Sequence, residues 1–348
     1  GLEISDSFWF YDELGRFSYF DGYSNCPSQQ APIIRDYLAA GYIDSLNTWG
    51  DFSKRRFDRK YAEWAVEESI KHGFELPIWL NYEKANTTQH FAGGQFSGQE
   101  TSAAGFSSHF DLLEQGGCHW LSRSLTSIVG QDRHLTIRDD LLLNQHKSSS
   151  RAMHVTKTLA RRALMGADHL FGSPLGIYDE NYHNHFLRPA AVGSKRVVYE
   201  FLGFNNHRTN IWHGLHVPDL LRQLNRAALD QLIAVQGYMV VYNQLEFGDF
   251  YHHDIIAALR GLCEKELAGE LWVTTIAKMV RYNLTYRCLR WDEALDNDRN
   301  MVVDIRASCD DAILGNVQVT VRDLEGITFA VPEKVRSLTP RLARASPI

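Results

Sequence analysis

The sequence predicts an α/β fold: a parallel (β/α) barrel over residues 1–290, a small β-rich appendage over 291–332 and a loose tail over 333–348. Three observations predict it. Short apolar runs alternate with longer stretches of helical period through most of the chain, and strands alternating with helices pair in parallel through right-handed crossovers. No GxGxxG follows the first strand and no GxxxxGK(S/T) occurs, so the phosphate-binding marks of an open doubly wound sheet are missing. Past residue 290 the helical period gives way to β-rich runs.

The elements follow in order. Leu2 to Phe10 reads as a strand, and turn residues gather at Asp21-Gly22 and Asn25-Cys26-Pro27. A helix over 29–40 stops at Gly41, Tyr42 to Leu46 is the second strand, and a helix over 57–72 stops at Gly73. Glu75 to Leu80 is the third strand. The stretch 83–107, rich in Gly, Ser, Thr and Gln, has no period and reads as a long loop. A short helix from His109 to Glu114 ends at Gly116-Gly117 before a strand at Cys118 to Leu121. Three more units follow: Val197 to Phe204 with helix 218–234, Tyr238 to Tyr242 with helix 251–267, and Leu271 to Thr274 with helix 275–288. Met301 to Ile305, Val317 to Val321 and Ile327 to Val331 form the appendage, expected to be antiparallel.

Composition narrows the function. Of 348 residues, 44% are hydrophobic and 22% charged, which fits a folded chain with a large core. A net charge of −6 without a Lys/Arg block gives no electrostatic footprint for nucleic acid. No apolar run reaches the ~18 residues of a membrane span. Five scattered cysteines with no CxxC pair, and a start lacking signal-peptide features, favour a reduced, cytoplasmic compartment. The 8 Trp, 15 Tyr and 18 Phe suit a large core first and a sugar-stacking cleft second.

Barrel sites form at the carboxyl ends of strands, so the polar residues there are the candidates. They include Asn47-Thr48-Trp49, Asn81-Tyr82-Glu83, Ser122-Arg123 and Asn243-Gln244, which bind hydroxyls and amides better than apolar ligands, although Asn and Thr also cap turns. Asp6 stands out as an acid within an apolar strand, and Asp21 shares its Asp-Gly pair with ordinary turns. Among the histidines no HExxH occurs; His109 is the best placed, at the start of the helix after the long loop.

The runs Gly41-Tyr42-Ile43-Asp44-Ser45-Leu46-Asn47-Thr48-Trp49-Gly50-Asp51-Phe52, Trp79 to Gln89, Ser108-His109-Phe110-Asp111, Gly237 to Leu245 and Gly269 to Thr275 resemble segments of the polysaccharide deacetylase (NodB-like) superfamily. The resemblance spans roughly residues 2–290. It implies a distorted (β/α) barrel that removes acetyl groups from amino sugars in bacterial surface polysaccharide, with Asp and His residues on a divalent metal, zinc above others, and a second Asp as base. Carried over, Asp6 and His109 hold the metal, completed by Asp21 or Glu83, and Asp6 or Asp21 serves in catalysis. Arg123, Arg188, Asn81, Glu83 and Asn243 bind the sugar, and Trp49 stacks on it. The chain departs from that pattern in having Asn81-Tyr82-Glu83 and Asn243-Gln244 where histidines are expected, and Phe20 in place of the first Asp of an Asp-Asp-Gly turn. Two alternatives stand beside deacetylation: a sugar-binding barrel without catalysis, and a glycoside hydrolase using two carboxylates ~5–5.5 Å or ~6.5–9.5 Å apart.

Overall fold

The computed structural model describes residues 2–13, 17–52, 55, 57–80, 109–126, 128–133, 155–156, 159–160, 163, 184–192, 196–204, 220–221, 223–242, 253–295, 301–307 and 338–342. It is a mixed α/β structure that divides into two compact units, Gly1–Ile276 and Ala277–Ile348.

The first unit is built on six strands: β1 (Asp6–Phe8), β2 (Ile43–Leu46), β3 (Ile78–Leu80), β4 (Trp120–Thr126), β5 (Leu187–Val192) and β6 (Arg196–Phe204). Their order is β1-β2-β3-β4-β6-β5, all neighbours parallel except the β5/β6 hairpin. The first four strands lie side by side in sequence order, whereas β4 skips β5 to pair with β6. Beyond β6, Val240 makes a single parallel bridge to Gly203.

Helices α1 (Ala31–Ala39), α2 (Arg59–His72) and α3 (Phe110–Gln115) separate the early strands. Local signals set their ends. Pro32 sits in the first turn of α1, Asp58 caps α2 by accepting the Lys60 N–H at 3.2 Å, and Gly73 closes α2 at φ 65°. Between these helices and β1–β4 lies an aromatic core in which Phe10, Tyr11, Tyr19, Phe20, Trp49 and Phe52 are buried together. Later come α4 (Arg226–Val235), capped by Asn225, then α5 (His253–Leu267) and α6 (Ile276–Cys288).

Three expectations change. Residues 271–275 form no strand, and 238–242 contribute only bridges, so the later units are less regular than their sequence period implies. The tail expected over 333–348 contains β9 (Leu338–Leu342), which pairs in parallel with β8 (Met301–Ala307); β8 also pairs antiparallel with β7 (Leu289–Leu295). Leu338 and Leu342 flank a proline tolerated on an edge strand, a pattern masked by the arginines around it. The expected strands at 317–321 and 327–331 and the long loop at 83–107 lie outside the described residues. No described helix is long and apolar enough to cross a membrane.

Candidate functional site at the carboxyl edge of the sheet

Contacts between the first two strands continue past their regular ends. Tyr11 bridges Gly50, its N–H donating to the Trp49 carbonyl at 3.1 Å while its own carbonyl accepts the Asp51 N–H at 3.0 Å. The carboxyl edge therefore lies at Tyr11-Asp12 and Trp49-Gly50. The turn that makes it is strained. Thr48, a buried β-branched residue, holds φ at 57°, where such side chains are outliers. Gly50 is required beside it, because a Cβ there would fall against the Tyr11 carbonyl and 2.6 Å from the Tyr11 Cβ. The strained turn fixes Asn47, whose Nδ2 donates to the Tyr242 hydroxyl at 3.5 Å and whose buried Oδ1 has no hydrogen-bond partner among the described residues.

His109 reaches the same edge, as the residue before α3. It is 3% exposed, and its Nδ1 accepts the Trp49 Nε1–H at 3.0 Å. That bond selects the neutral tautomer with its proton on Nε2. The rings of Phe57, Trp79 and Trp49 surround the imidazole at centroid distances of 5.2, 5.6 and 6.1 Å. Trp49, expected to stack on a sugar, is instead 2% exposed and anchors His109.

Asp6 lies elsewhere. It opens β1 opposite Ile43, the first residue of β2, and its Oδ1 accepts the Ser7 N–H at 2.7 Å. Five residues at ~3.3 Å each put it about 16 Å along the strand from Tyr11, where the edge begins. Asp6 thus opens β1 at its amino end, whereas His109 is bonded to Trp49 past the carboxyl ends of β1 and β2. Among the described residues no group of three His, Cys, Asp or Glu is placed to hold an ion. The Asp6 carboxyl keeps contact with solvent, yet the protein around it raises its pKa, chiefly by desolvation, opposed by the Ser7 N–H and helped by nearby Asp44.

The other candidates scatter. Asp21 is an exposed turn residue, its N–H on the Cys26 carbonyl at 2.9 Å and its carbonyl accepting from Ser24. The Arg188 guanidinium, expected on a sugar, donates across the β5/β6 pair to Glu200 at 2.8 Å. Arg123 lies within β4, its side chain outside the described set, and Asn81, Glu83 and Asn243 lie outside the described residues.

One acid at the edge was not anticipated. Asp12 is 1% exposed and directly follows Tyr11. The Tyr23 hydroxyl, which donates to the Asp51 carbonyl at 2.7 Å, has its pKa pushed up to about 12, first by burial and then by the charges of Glu13, Asp51 and Asp12. The signal was present: Asp12 stands one residue beyond the apolar run Phe8-Trp9-Phe10-Tyr11, where a parallel strand delivers its site residue. Comparison with family models, curated proteins and solved structures finds no match to this chain.

Proposed function

We propose that the protein is a carbohydrate-active (β/α) barrel that binds an amino sugar along the carboxyl edge of its sheet and removes an acetyl group from it, with Asp12 in the role first given to Asp6. The observation that carries this reading is the strained Asn47-Thr48-Trp49-Gly50 turn, which holds a buried amide oxygen ready to accept a hydrogen bond, on the same edge of the sheet that the buried Asp12 follows.

Barrel closure is supported by Asn47 and Tyr242. In a flat sheet of the observed order their strands stand four positions apart, about 19 Å at ~4.8 Å per strand, beyond the reach of an Asn and a Tyr side chain. Their contact at 3.5 Å and the Thr274 hydroxyl donating to Glu3 at 3.0 Å both support a curled sheet.

In this reading Asn47 accepts a hydrogen bond from a sugar hydroxyl or acetamido N–H, and Asp12 takes the proton of the attacking water. Acetate release from N-acetylated amino sugars, with and without added divalent metal, tests it. Asp12→Asn is expected to lose at least ~10²-fold in rate while Asp6→Asn keeps most of it. No acetate from the wild type under any metal condition refutes deacetylation. Reducing sugar released from a glycan in its place moves the assignment to glycoside hydrolysis, with Asp12 and Asp51 as the carboxylates to test.

A further inference from the structure

Arg55 stands just past the carboxyl edge, between the strained turn and α2, and is exposed to solvent. Two rings hold it there. Its Cζ lies 5.0 Å from the centre of the Tyr23 ring and 5.7 Å from that of Tyr61. Both rings are tied to the edge: the Tyr23 hydroxyl donates to the Asp51 carbonyl at 2.7 Å, and the Tyr61 carbonyl accepts from the Tyr11 hydroxyl at 3.0 Å. Tyr11 and Tyr61 also meet edge to face at 5.2 Å. The guanidinium is therefore placed by packed neighbours of Tyr11, the residue that Asp12 follows.

Its donors are not used in holding it. Contact with ring faces draws on the positive charge and leaves the N–H groups available. Arg55 makes no hydrogen bond or ion pair among the described residues, although the carboxylates of Glu13, Asp51 and Asp12 are near enough to act on the Tyr23 hydroxyl. An arginine among carboxylates ordinarily pairs with one of them; here the two tyrosines keep it apart from all three. Lys60 lies against the same tyrosine, with Nζ 5.3 Å from the Tyr61 ring centre and Asp58 3.8 Å away to offset part of its charge. Two exposed cations thus share one buried ring, an arrangement that repels a cationic ligand and draws an anionic one.

We propose that Arg55 is a specificity residue that binds an oxyanion, a carboxylate or a sulfate, on the sugar unit next to the one whose acetyl group is removed, so that the substrate is an acidic glycan. The inference rests on the carbohydrate reading above and adds the class of glycan. A planar guanidinium meets such a group with two parallel bonds, whereas a neutral unit leaves the charge to water.

Calorimetry with three soluble tetrasaccharides tests it: the neutral tetramer of N-acetylglucosamine, one alternating glucuronate with N-acetylglucosamine, and one alternating galactose with N-acetylglucosamine 6-sulfate. The wild type is expected to bind one acidic probe about tenfold or more tighter than the neutral tetramer, with the preference shrinking as salt is added. Which acidic probe is favoured tells carboxylate from sulfate. Arg55→Gln is expected to abolish the preference and leave affinity for the neutral tetramer unchanged, and Arg55→Lys, which keeps the charge without the fork, to retain part of the preference. Thermal unfolding of both variants shows whether the fold is kept. A wild type that binds the neutral tetramer as tightly as either acidic probe overturns the anion site and leaves the edge reading standing. A preference that survives Arg55→Gln, or an equal loss of affinity for all three probes in that variant, overturns it as well. A wild type that binds none of the three overturns both.

Discussion

His109 and Trp49 show how a residue's partners decide its chemistry. A histidine near a barrel mouth invites a ligand role, but here its Nδ1 is occupied by an indole N–H and three rings surround it. The pair belongs to the core that supports the edge. His109→Leu, similar in volume, leaves the Trp49 Nε1–H buried without this acceptor and should cost ~1–3 kcal/mol in denaturant unfolding. Asp6 gives a prediction of opposite sign. Its pKa is raised in the folded state, so the ionised side chain opposes folding at neutral pH, and the opposition fades as pH falls through that raised value. Asp6→Asn should therefore stabilise slightly at pH 7, by about 0.5 kcal/mol or less after solvent screening, with the gain shrinking in acid. A pH series of urea midpoints for both proteins checks it.

Among the elements, α2 and α3 are joined by the Arg59 guanidinium, which donates to both Asp111 oxygens, at 2.8 Å from Nη1 to Oδ1. These bonds hold the Asp111 carboxyl below the usual range, so their contribution is present above the ordinary Asp pKa and is lost as pH falls through the lowered one. Asp111→Asn should cost ~0.5–1 kcal/mol at pH 7 and progressively less as the pH falls below the ordinary Asp range, read from unfolding midpoints across an acid series. Elements with clear punctuation were legible in the sequence: α1 and α2 end at Gly41 and Gly73 as expected, and β2 and β3 fall within their expected runs. What was not legible depended on distant partners. The strand read as ending at Phe10 is prolonged through Tyr11 because Gly50 allows close approach, and this shift replaces Asp6 by Asp12 at the edge. Arg188 looked free for a ligand because its partner Glu200 comes from the facing strand of the hairpin. The buried side-chain amide oxygens of Gln131 and Asn184, which meet no partner among the described residues, have no sequence signal at all, since satisfaction is a property of the packed structure.

Over the whole molecule, cysteine reactivity separates surface from interior. Cys26 is exposed and Cys263 half-buried, whereas Cys118 lies in the aromatic core, where burial pushes its thiol well above the ordinary range. Under native conditions an aromatic disulfide reagent should label Cys26 and Cys263 readily and Cys118 at least ~10²-fold more slowly, as read by mass spectrometry of the peptides. Adding denaturant should bring Cys118 labelling up in step with global unfolding; early labelling would mean that the core opens locally.

The order β1-β2-β3-β4 has a consequence for the chain as it is made. The residues of the largest buried cluster all fall between Phe8 and Leu121, and each of these strands finds its neighbour in the segment synthesised just before it. At ~5–20 residues per second the ribosome delivers that core well before β6 or Tyr242 emerges. The nascent chain then carries an incomplete sheet whose β4 side waits several seconds for β6, so the stretch between the two sets how long an open strand edge is exposed to chaperones during synthesis.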